Sequence, residues 1–298
     1  MGFFDEKPGE KVEVTPSPSP TAITSVATVE PKINIRISLS DIGLWLKPEN
    51  TPSTPNICCM IFGLDGVGKS GVVLEYLTPE DIKAGYKMIV LDLDSGSQTL
   101  LFQYHKEKMK NIIIRNPLEF TYDENGYIVT DYKRTMNKIK ATIKWISENA
   151  EKEKIKVVVM DGLSSLLQLC EYQMRVEKEI APDGGVQTRY WLLRMRFFLD
   201  IMEQFRALPL DKFFIGHDDF IQKNDKELSS VKIKTHQMAH QRLILSRIEQ
   251  VDKVVFRAKI DKSKCNVQLE GKEIDFCTVD KKTGKAVWEG RKAIELFM

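Results

Sequence analysis

The stretch Gly63-Leu64-Asp65-Gly66-Val67-Gly68-Lys69-Ser70 matches the pattern GxxxxGK[ST] at every fixed position. It directly follows an apolar run at 57–62, and the residues after it have the pattern of a helix. The glycines allow backbone N–H groups to wrap a phosphate, and the helix directs its positive end at the same group. The stretch therefore predicts a nucleotide site, with expected contacts from Gly63, Asp65, Gly66, Val67, Gly68, Lys69, Ser70 and Gly71.

Two side chains of this loop have predicted chemical roles. Lys69 should reach the β- and γ-phosphates of ATP, and the Ser70 hydroxyl should ligate Mg²⁺. The apolar strand predicted at 156–160 ends on Asp161, whose carboxylate is placed to hold the same ion. The alternative for Asp161 is an ordinary helix cap, because a helical stretch follows Gly162. Ligands collect beyond the carboxyl ends of parallel strands, so both elements should reach one crevice.

From residue 56 onward, apolar strands alternate with amphipathic helices. Strands are predicted at 57–62, 88–93, 111–115, 156–160, 213–216, 252–259 and 274–279, and helices at 69–77, 97–108, 131–151, 163–179, 189–206 and 237–249. This alternation predicts an α/β fold with a mostly parallel sheet flanked by helices. Turn signals at 269–272 and 280–284 predict antiparallel strands at the C-terminal end of the sheet.

The first 55 residues differ in composition, because they hold eight of the 12 prolines of this 298-residue chain. Residues 1–32 are predicted to be a disordered tail rich in Pro, Ser and Thr. Residues 33–55 are predicted to be a linker. Within it, Ile33 to Ile37 alternates apolar and polar residues, as a strand does that pairs with its own domain or with the sheet of a neighbouring subunit. Residues 56–298 remain as one folded domain.

Composition excludes several classes of protein. The chain has 44 Lys and Arg against 42 Asp and Glu, so contact with nucleic acid requires a local basic patch. No apolar run approaches the roughly 18 residues of a membrane helix, and the start lacks the pattern of a secretory signal. We expect no membrane span and a cytoplasmic location, which is the host cytoplasm if the protein is viral.

The cysteines and histidines predict neither disulfides nor a metal site. Five cysteines without a CxxC pair predict buried thiols, and the His236–His240 pair lacks an obvious third metal ligand.

A further pair of acids lies at the end of the strand predicted at 88–93. Asp92 or Asp94 is placed there to polarise the water that attacks a γ-phosphate. At this point the chain resembles the RecA-type ATPase family, and within it the phage RecA-like ATPases linked to single-strand annealing and recombination. The resemblance spans roughly residues 56–279 and implies that Asp94 is the catalytic acid, with Asp92 as the alternative. The family usually has glutamate here, so the shorter Asp94 implies slow hydrolysis or only the positioning of water.

The resemblance extends to the strand predicted at 213–216 and the residue after it. RecA-type proteins carry a polar residue there that senses the γ-phosphate and reports to a DNA-binding loop, which implies that His217 is the sensor. The alternative is a capped loop residue.

RecA-type cores also place two mobile DNA-contacting loops, one after the helix that follows the Asp161 strand and one after the sensor strand. These loops correspond to about 179–189 and 218–240, with DNA-contact candidates Arg189, Lys223, Lys226, Lys232 and Lys234. Acidic residues dilute the second loop, so a solvated mixed-charge loop is the alternative. Arg257 and Lys259 share one face of a late strand and resemble the basic pair that reaches the ATP of an adjacent subunit. An exposed basic sheet face is the alternative for them.

The resulting hypothesis is an ATPase that binds single-stranded DNA and acts in recombination, annealing or repair. It would work as a homo-oligomer, a ring or a filament, with ATP and Mg²⁺ as ligands and with DNA stimulating hydrolysis. One alternative is a nucleotide-switched module that recruits a protein partner through the N-terminal tail. Another is a replicative helicase-type motor, which shares the same core.

Overall fold

Nine strands form one mixed sheet, and a separate hairpin adds two more, in a computed structural model that describes residues 56–181, 184–217, 238–264 and 266–295. In chain order the strands are β1 (Cys58–Gly63), β2 (Lys87–Asp92), β3 (Ile112–Arg115), β4 (Phe120–Tyr122), β5 (Ile128–Thr130), β6 (Ile155–Asp161), β7 (Asp211–His217), β8 (Gln241–Glu249), β9 (Lys253–Ser263), β10 (Glu273–Asp280) and β11 (Ala286–Trp288). The tail at 1–32 and the linker at 33–55, with its predicted strand, lie outside the described residues.

Seven α-helices accompany these strands in the described residues. They are α1 (Lys69–Leu74), α2 (Pro79–Lys83), α3 (Ser97–Tyr104), α4 (Tyr132–Asn149), α5 (Leu163–Glu177), α6 (Thr188–Arg206) and α7 (Gly290–Glu295). Short 3-10 turns follow at Lys106–Lys108 and Val267–Leu269.

The strand order of the large sheet is β11-β10-β9-β8-β1-β7-β6-β2-β3. Strand β1 lies parallel to both β7 and β8, and β6 lies parallel to β7 and β2. Strands β8, β9, β10 and β11 pair antiparallel in succession. The predicted α/β fold, with a mostly parallel sheet and antiparallel strands at its C-terminal end, is therefore confirmed.

The core consists of two apolar layers, one on each face of the sheet. Along β1, Met60 and Phe62 pack with α4, α5 and α6 on one face. Ile61 packs with α1, α7 and β10 on the other face. Every residue of β1 is buried, which is why the strand is a continuous apolar run rather than an alternating one.

One predicted helix is wrong. The residues predicted as a helix at 237–249 contain strand β8, which hydrogen-bonds to β1 on one side and to β9 on the other. Leu243 and Leu245 are buried against the α1 face of the sheet. A short apolar run such as this one fits a helix or a buried strand equally well, and only its pairing with β1 and β9 decides the outcome. The short elements α2, α7, β4 and β5 were not predicted from the sequence. No bounds were predicted for β11, although the turn predicted at 280–284 implied an antiparallel strand after it.

The cysteines described by the structure are all buried thiols, as predicted. Cys58, Cys59, Cys170 and Cys277 form no disulfide, and burial raises the pKa of Cys170 and of Cys277 to about 12. Within the described ranges, no three His, Cys, Asp or Glu side chains are grouped as metal ligands, and His236 lies outside those ranges. No described helix has the length and apolar character needed to cross a membrane.

A pair of phenylalanine substitutions should test the packing of α6 on the sheet. Phe198 is completely buried in α6, whereas Phe102 in α3 is 47% exposed. Phe198→Ala should lower the free energy of unfolding by about 3–5 kcal/mol, because it leaves a cavity in the core. Phe102→Ala should lower it by less than about 1 kcal/mol. Urea unfolding followed by circular dichroism measures both, and equal losses would contradict this packing.

Candidate nucleotide-binding site

The predicted phosphate loop connects β1 to α1 at the carboxyl edge of the sheet. Gly66 and Gly68 have φ angles of 72° and 83°, a left-handed conformation that residues with a side chain rarely adopt. Gly68 is also the N-cap of α1, so the loop passes directly into the helix. The local sequence thus places the free N–H groups of a helix N-terminus beside the loop, which is the geometry that binds phosphate.

Lys69 is folded over the mouth of this loop. Its side chain is 8% exposed, and Nζ donates hydrogen bonds to the carbonyl oxygens of Gly63 and Leu64 at 2.9 and 2.7 Å. The same atom lies 3.3 Å from Nδ1 of His217. The predicted phosphate-binding ammonium and the predicted sensor are therefore neighbours at one edge of the sheet.

Asp161 at the end of β6 contacts the loop through Ser70. Its Oδ2 atom accepts hydrogen bonds from Ser70 Oγ at 2.6 Å and from Ser97 Oγ at 2.7 Å. Burial raises the pKa of Asp161, although both hydroxyl groups lower it. Ser97 was missed because an isolated serine after a strand carries no signal of its own.

These residues fit a magnesium ion. Mg²⁺ prefers oxygen ligands and is usually held by one or two carboxylates together with phosphates and water. The structure brings together the Ser70 hydroxyl and a buried carboxylate whose charge burial disfavours. A divalent cation at Ser70 and Asp161 would offset that effect.

Asp94 lies just beyond β2, beside Asp161 and His217. It accepts hydrogen bonds from Ser165 Oγ and from His217 Nε2, the latter at 3.0 Å. Burial raises the pKa of Asp94, but the bonds from His217 and Ser165 outweigh that effect, so the pKa lies below its ordinary value. Gly162 is required beneath it, because a Cβ there would lie 2.6 Å from Asp94 Oδ1.

Asp92, the alternative catalytic acid, occupies a different position. It is 1% exposed, and its Oδ2 accepts a hydrogen bond from the Ser97 N–H at 2.9 Å, at the start of α3. Burial raises the pKa of Asp92 more than this hydrogen bond lowers it. Asp94 lines the cavity described next, and Asp92 does not. Of the two acids, the structure therefore places only Asp94 at the cavity.

The loop, Asp94, Asp161 and His217 line a cavity of about 370 Å³. An apolar wall, formed by Leu100, Tyr104, Phe256, Val279 and Trp288, makes up most of the remaining lining. Trp288 in β11 lies against α1, since a Cβ on Gly71 would be 2.2 Å from its ring. Flat aromatic surfaces beside a phosphate loop suit a nucleobase. The sequence did not reveal this wall, because its members come from four different elements: α3, β9, β10 and β11.

Three other predicted residues that the structure describes, Arg189, Arg257 and Lys259, do not line this cavity. Arg189 is in the first turn of α6 and stacks over the ring of Tyr190 at 4.9 Å. Arg257 in β9 bonds to Asp275 at 2.6 Å and to Glu273 at 3.2 Å, and the exposed Lys259 lies two residues along the same strand. Lys223, Lys226, Lys232 and Lys234 fall at 218–237, outside the described residues.

A family model described as an AAA domain matches residues 55–288. The chain belongs to this AAA domain family. One similar solved structure is a KaiC-like protein from the hyperthermophilic archaeon Pyrococcus horikoshii, with 12% identity and a TM-score of 0.41. That match covers 73% of this chain and 84% of the archaeal one. Comparison with curated proteins finds no match.

Magnesium dependence should test the Ser70–Asp161 contact in this AAA-domain protein. Asp161→Asn keeps the shape of the side chain but removes the charge that attracts the cation. In the wild type, Mg²⁺ should increase the affinity for nucleotide. In the variant, we expect this increase to be about 10- to 100-fold smaller, a range typical of changes around a metal site. Titration of a fluorescent nucleotide with and without Mg²⁺ measures this gain. A full gain in the variant would contradict the assignment of Asp161.

The pH dependence of stability should test the bond between His217 and Asp94. That bond raises the pKa of His217 above its ordinary 6.5, against burial and the Lys69 ammonium. Protonated His217 therefore stabilises the fold fully below pH 6.5 and loses this contribution as the pH rises through the raised pKa. The destabilisation caused by His217→Gln, measured by urea unfolding, should shrink from pH 6 to pH 9.

His240→Gln is the matched control for that experiment. Burial and the nearby Lys264 and Lys212 lower the pKa of His240, so the neutral form is favoured in the folded state. Its contribution is fully present above pH 6.5 and is lost as the pH falls through the lowered pKa. The two variants should thus show opposite trends with pH. Parallel trends would contradict the assigned His217–Asp94 pairing.

Proposed function

We propose that this protein hydrolyses ATP, binds single-stranded DNA and acts as a homo-oligomer in recombination, annealing or repair. The observation that carries the proposal is the chain of contacts from Lys69 through His217 to Asp94. It links the predicted phosphate site and the predicted catalytic acid to β7, which leads directly into the lysine-bearing segment at 218–240. A change at the phosphate would therefore act on that segment through a single histidine.

The loop N–H groups and Lys69 would hold the phosphates of ATP, and Ser70 and Asp161 would hold Mg²⁺. When bound, the ion neutralises charge on the β- and γ-phosphates. Asp94 is ionised at neutral pH, where its lowered pKa keeps it fully charged, so it can accept a hydrogen bond from the attacking water. Its oxygens already bind Ser165 and His217, and a low pKa makes it a weak base. Both features support the slow hydrolysis that the short Asp94 implies.

Support for DNA binding comes from the surface near the first predicted loop. Two cations lie over the ring of Tyr190, Lys178 at 6.0 Å and Arg189 at 4.9 Å from its centroid. Single-stranded DNA is commonly held by aromatic rings that stack on bases and by cations that contact phosphates. The segment at 218–237 would add Lys223, Lys226, Lys232 and Lys234.

Oligomerisation would supply what one chain lacks. The net charge is only +2, so a continuous DNA contact needs the loops of many subunits. Arg257 and Lys259 remain the proposed trans-acting residues. To act in trans, Arg257 would have to break its ion pairs with Asp275 and Glu273 and bind a phosphate of the ATP held by an adjacent subunit.

A specific surface favours the nucleotide-switched module as a second candidate. The β4–β5 hairpin exposes Phe120, Tyr122 and Ile128, each more than half accessible to solvent. At the base of the hairpin, Asn116 Nδ2 donates to Ser95 Oγ at 2.8 Å, next to Asp94. An apolar surface coupled to the catalytic acid in this way suits recruitment of a protein partner.

Four lysines should decide between these candidates. Replacing Lys223, Lys226, Lys232 and Lys234 with Gln should weaken single-stranded-DNA binding at all sequences. The slope of log affinity against log salt should become shallower by about 0.7 for each lysine that contacts a phosphate. Fluorescence anisotropy over a range of salt concentrations measures this slope. The same changes should abolish the stimulation of the ATPase rate by DNA in the wild-type protein.

Two controls make the result specific. Replacing four exposed lysines elsewhere, Lys110, Lys144, Lys152 and Lys282, removes the same charge and should leave the slope unchanged. Lys69→Ala should reduce turnover about 100- to 1000-fold, as the loss of a phosphate-stabilising group does. A wild-type protein with no DNA affinity and with turnover that DNA does not alter would refute the DNA-binding proposal and favour the switched module.

A further inference from the structure

Asp65, the third residue of the phosphate loop, makes a contact that the loop pattern does not require. Its Oδ1 atom lies 2.6 Å from Nδ1 of His217 and 4.0 Å from Nζ of Lys69. The Asp65 side chain is 79% exposed, whereas those of His217 and Lys69 are 26% and 8% exposed. The exposed Asp65 carboxylate thus contacts the imidazole of His217 and lies near the ammonium group of Lys69, and all three residues line the cavity.

His217 is the predicted sensor of the γ-phosphate of ATP, and Lys69 is predicted to reach the β- and γ-phosphates. A carboxylate and a phosphate present the same kind of acceptor oxygen, so they compete for the same donors. We infer that Asp65 acts as a built-in competitor of the γ-phosphate, so that the chain binds ATP less tightly relative to ADP than its phosphate loop otherwise would. The inference rests on the proposed function, in which ATP is the nucleotide.

The competition should act mainly on the third phosphate. The α- and β-phosphates would be held mainly by backbone N–H groups of the loop, which Asp65 does not occupy in this structure, and Asp65 lies closer to His217 than to Lys69. The γ-phosphate alone must take the place of the carboxylate at His217. A displaced Asp65 also stays in the same loop as the phosphate, where two negative charges repel each other.

The size of the effect follows from the exposure of Asp65. Displacement returns the carboxylate to water at little cost, and an ion pair with one exposed partner contributes modestly. We therefore expect a change of about three- to tenfold in affinity, which is the modest contribution of such a pair increased by the repulsion that remains. Asp65 would thus tune the preference between ATP and ADP without preventing ATP from binding.

The test compares the full-length wild type with Asp65→Asn in the presence of Mg²⁺. Titration calorimetry gives the Kd for a non-hydrolysable ATP analogue and for ADP. The analogue should bind the variant about three- to tenfold more tightly, and ADP should change by less than about twofold. Asp65→Glu keeps the charge and should keep the wild-type ratio of the two Kd values. Glu124→Gln removes one exposed negative charge from the hairpin and should leave both values unchanged.

Equal tightening of both nucleotides by Asp65→Asn, or no change in their ratio, would overturn the inference. A gain of the same size in a His217→Ala background would also overturn it, because His217 would then not be the contested partner. These results are distinct from failure of the proposed function. A wild type that binds neither nucleotide refutes both proposals. If the wild type binds both nucleotides and Asp65→Asn leaves the ratio of their Kd values unchanged, only the Asp65 inference is refuted.

Discussion

The contact between the Ser70 hydroxyl and the buried Asp161 carboxylate joins the start of α1, where the phosphate loop ends, to the end of β6, and the rest of the site is arranged around it. Three carboxylates meet at this edge, and the fold stabilises each by different groups. Asp161 has two hydroxyl groups, Asp92 has the N–H at the start of α3, and Asp94 has His217 and Ser165. Burial still raises the pKa of Asp161 and Asp92, so the edge holds negative charge that the fold only partly compensates. A divalent cation that also binds the phosphates of a nucleotide would compensate the remaining charge at this edge.

The topology explains why these side chains converge. Strands β1, β7, β6 and β2 are neighbours and all run parallel, so their carboxyl ends lie along one edge. The antiparallel half of the sheet is also part of the site. It brings Phe256, Val279 and Trp288 to the apolar wall of the cavity. The C-terminal strands therefore shape the nucleotide cavity as well as extending the core.

Much of this arrangement could be predicted from the sequence, because local patterns determine it. The run before Gly63 is apolar throughout because β1 is covered on both faces, and the acids at or just beyond the ends of β2 and β6 mark where those strands end. Ser97, Ser165 and Trp288 could not be predicted, because their roles depend on contacts with distant residues and none belongs to a pattern. The error at 237–249 has the same origin. The apolar run of β8 fits two kinds of element, and its pairing with β1 decides between them.

Asp94 is the point at which the two proposed functions meet. Through His217 it is linked to β7 and to the segment that begins at 218, and the next residue, Ser95, is linked to the hairpin through Asn116. Ser95 has a φ angle of 59°, which is uncommon for a residue with a side chain and persists only where the surroundings impose it. A shift of either surface would therefore alter how Asp94 faces the cavity. The two candidates use the same chemistry and differ in which surface binds the partner, so a variant on either surface can change turnover without touching the phosphate loop.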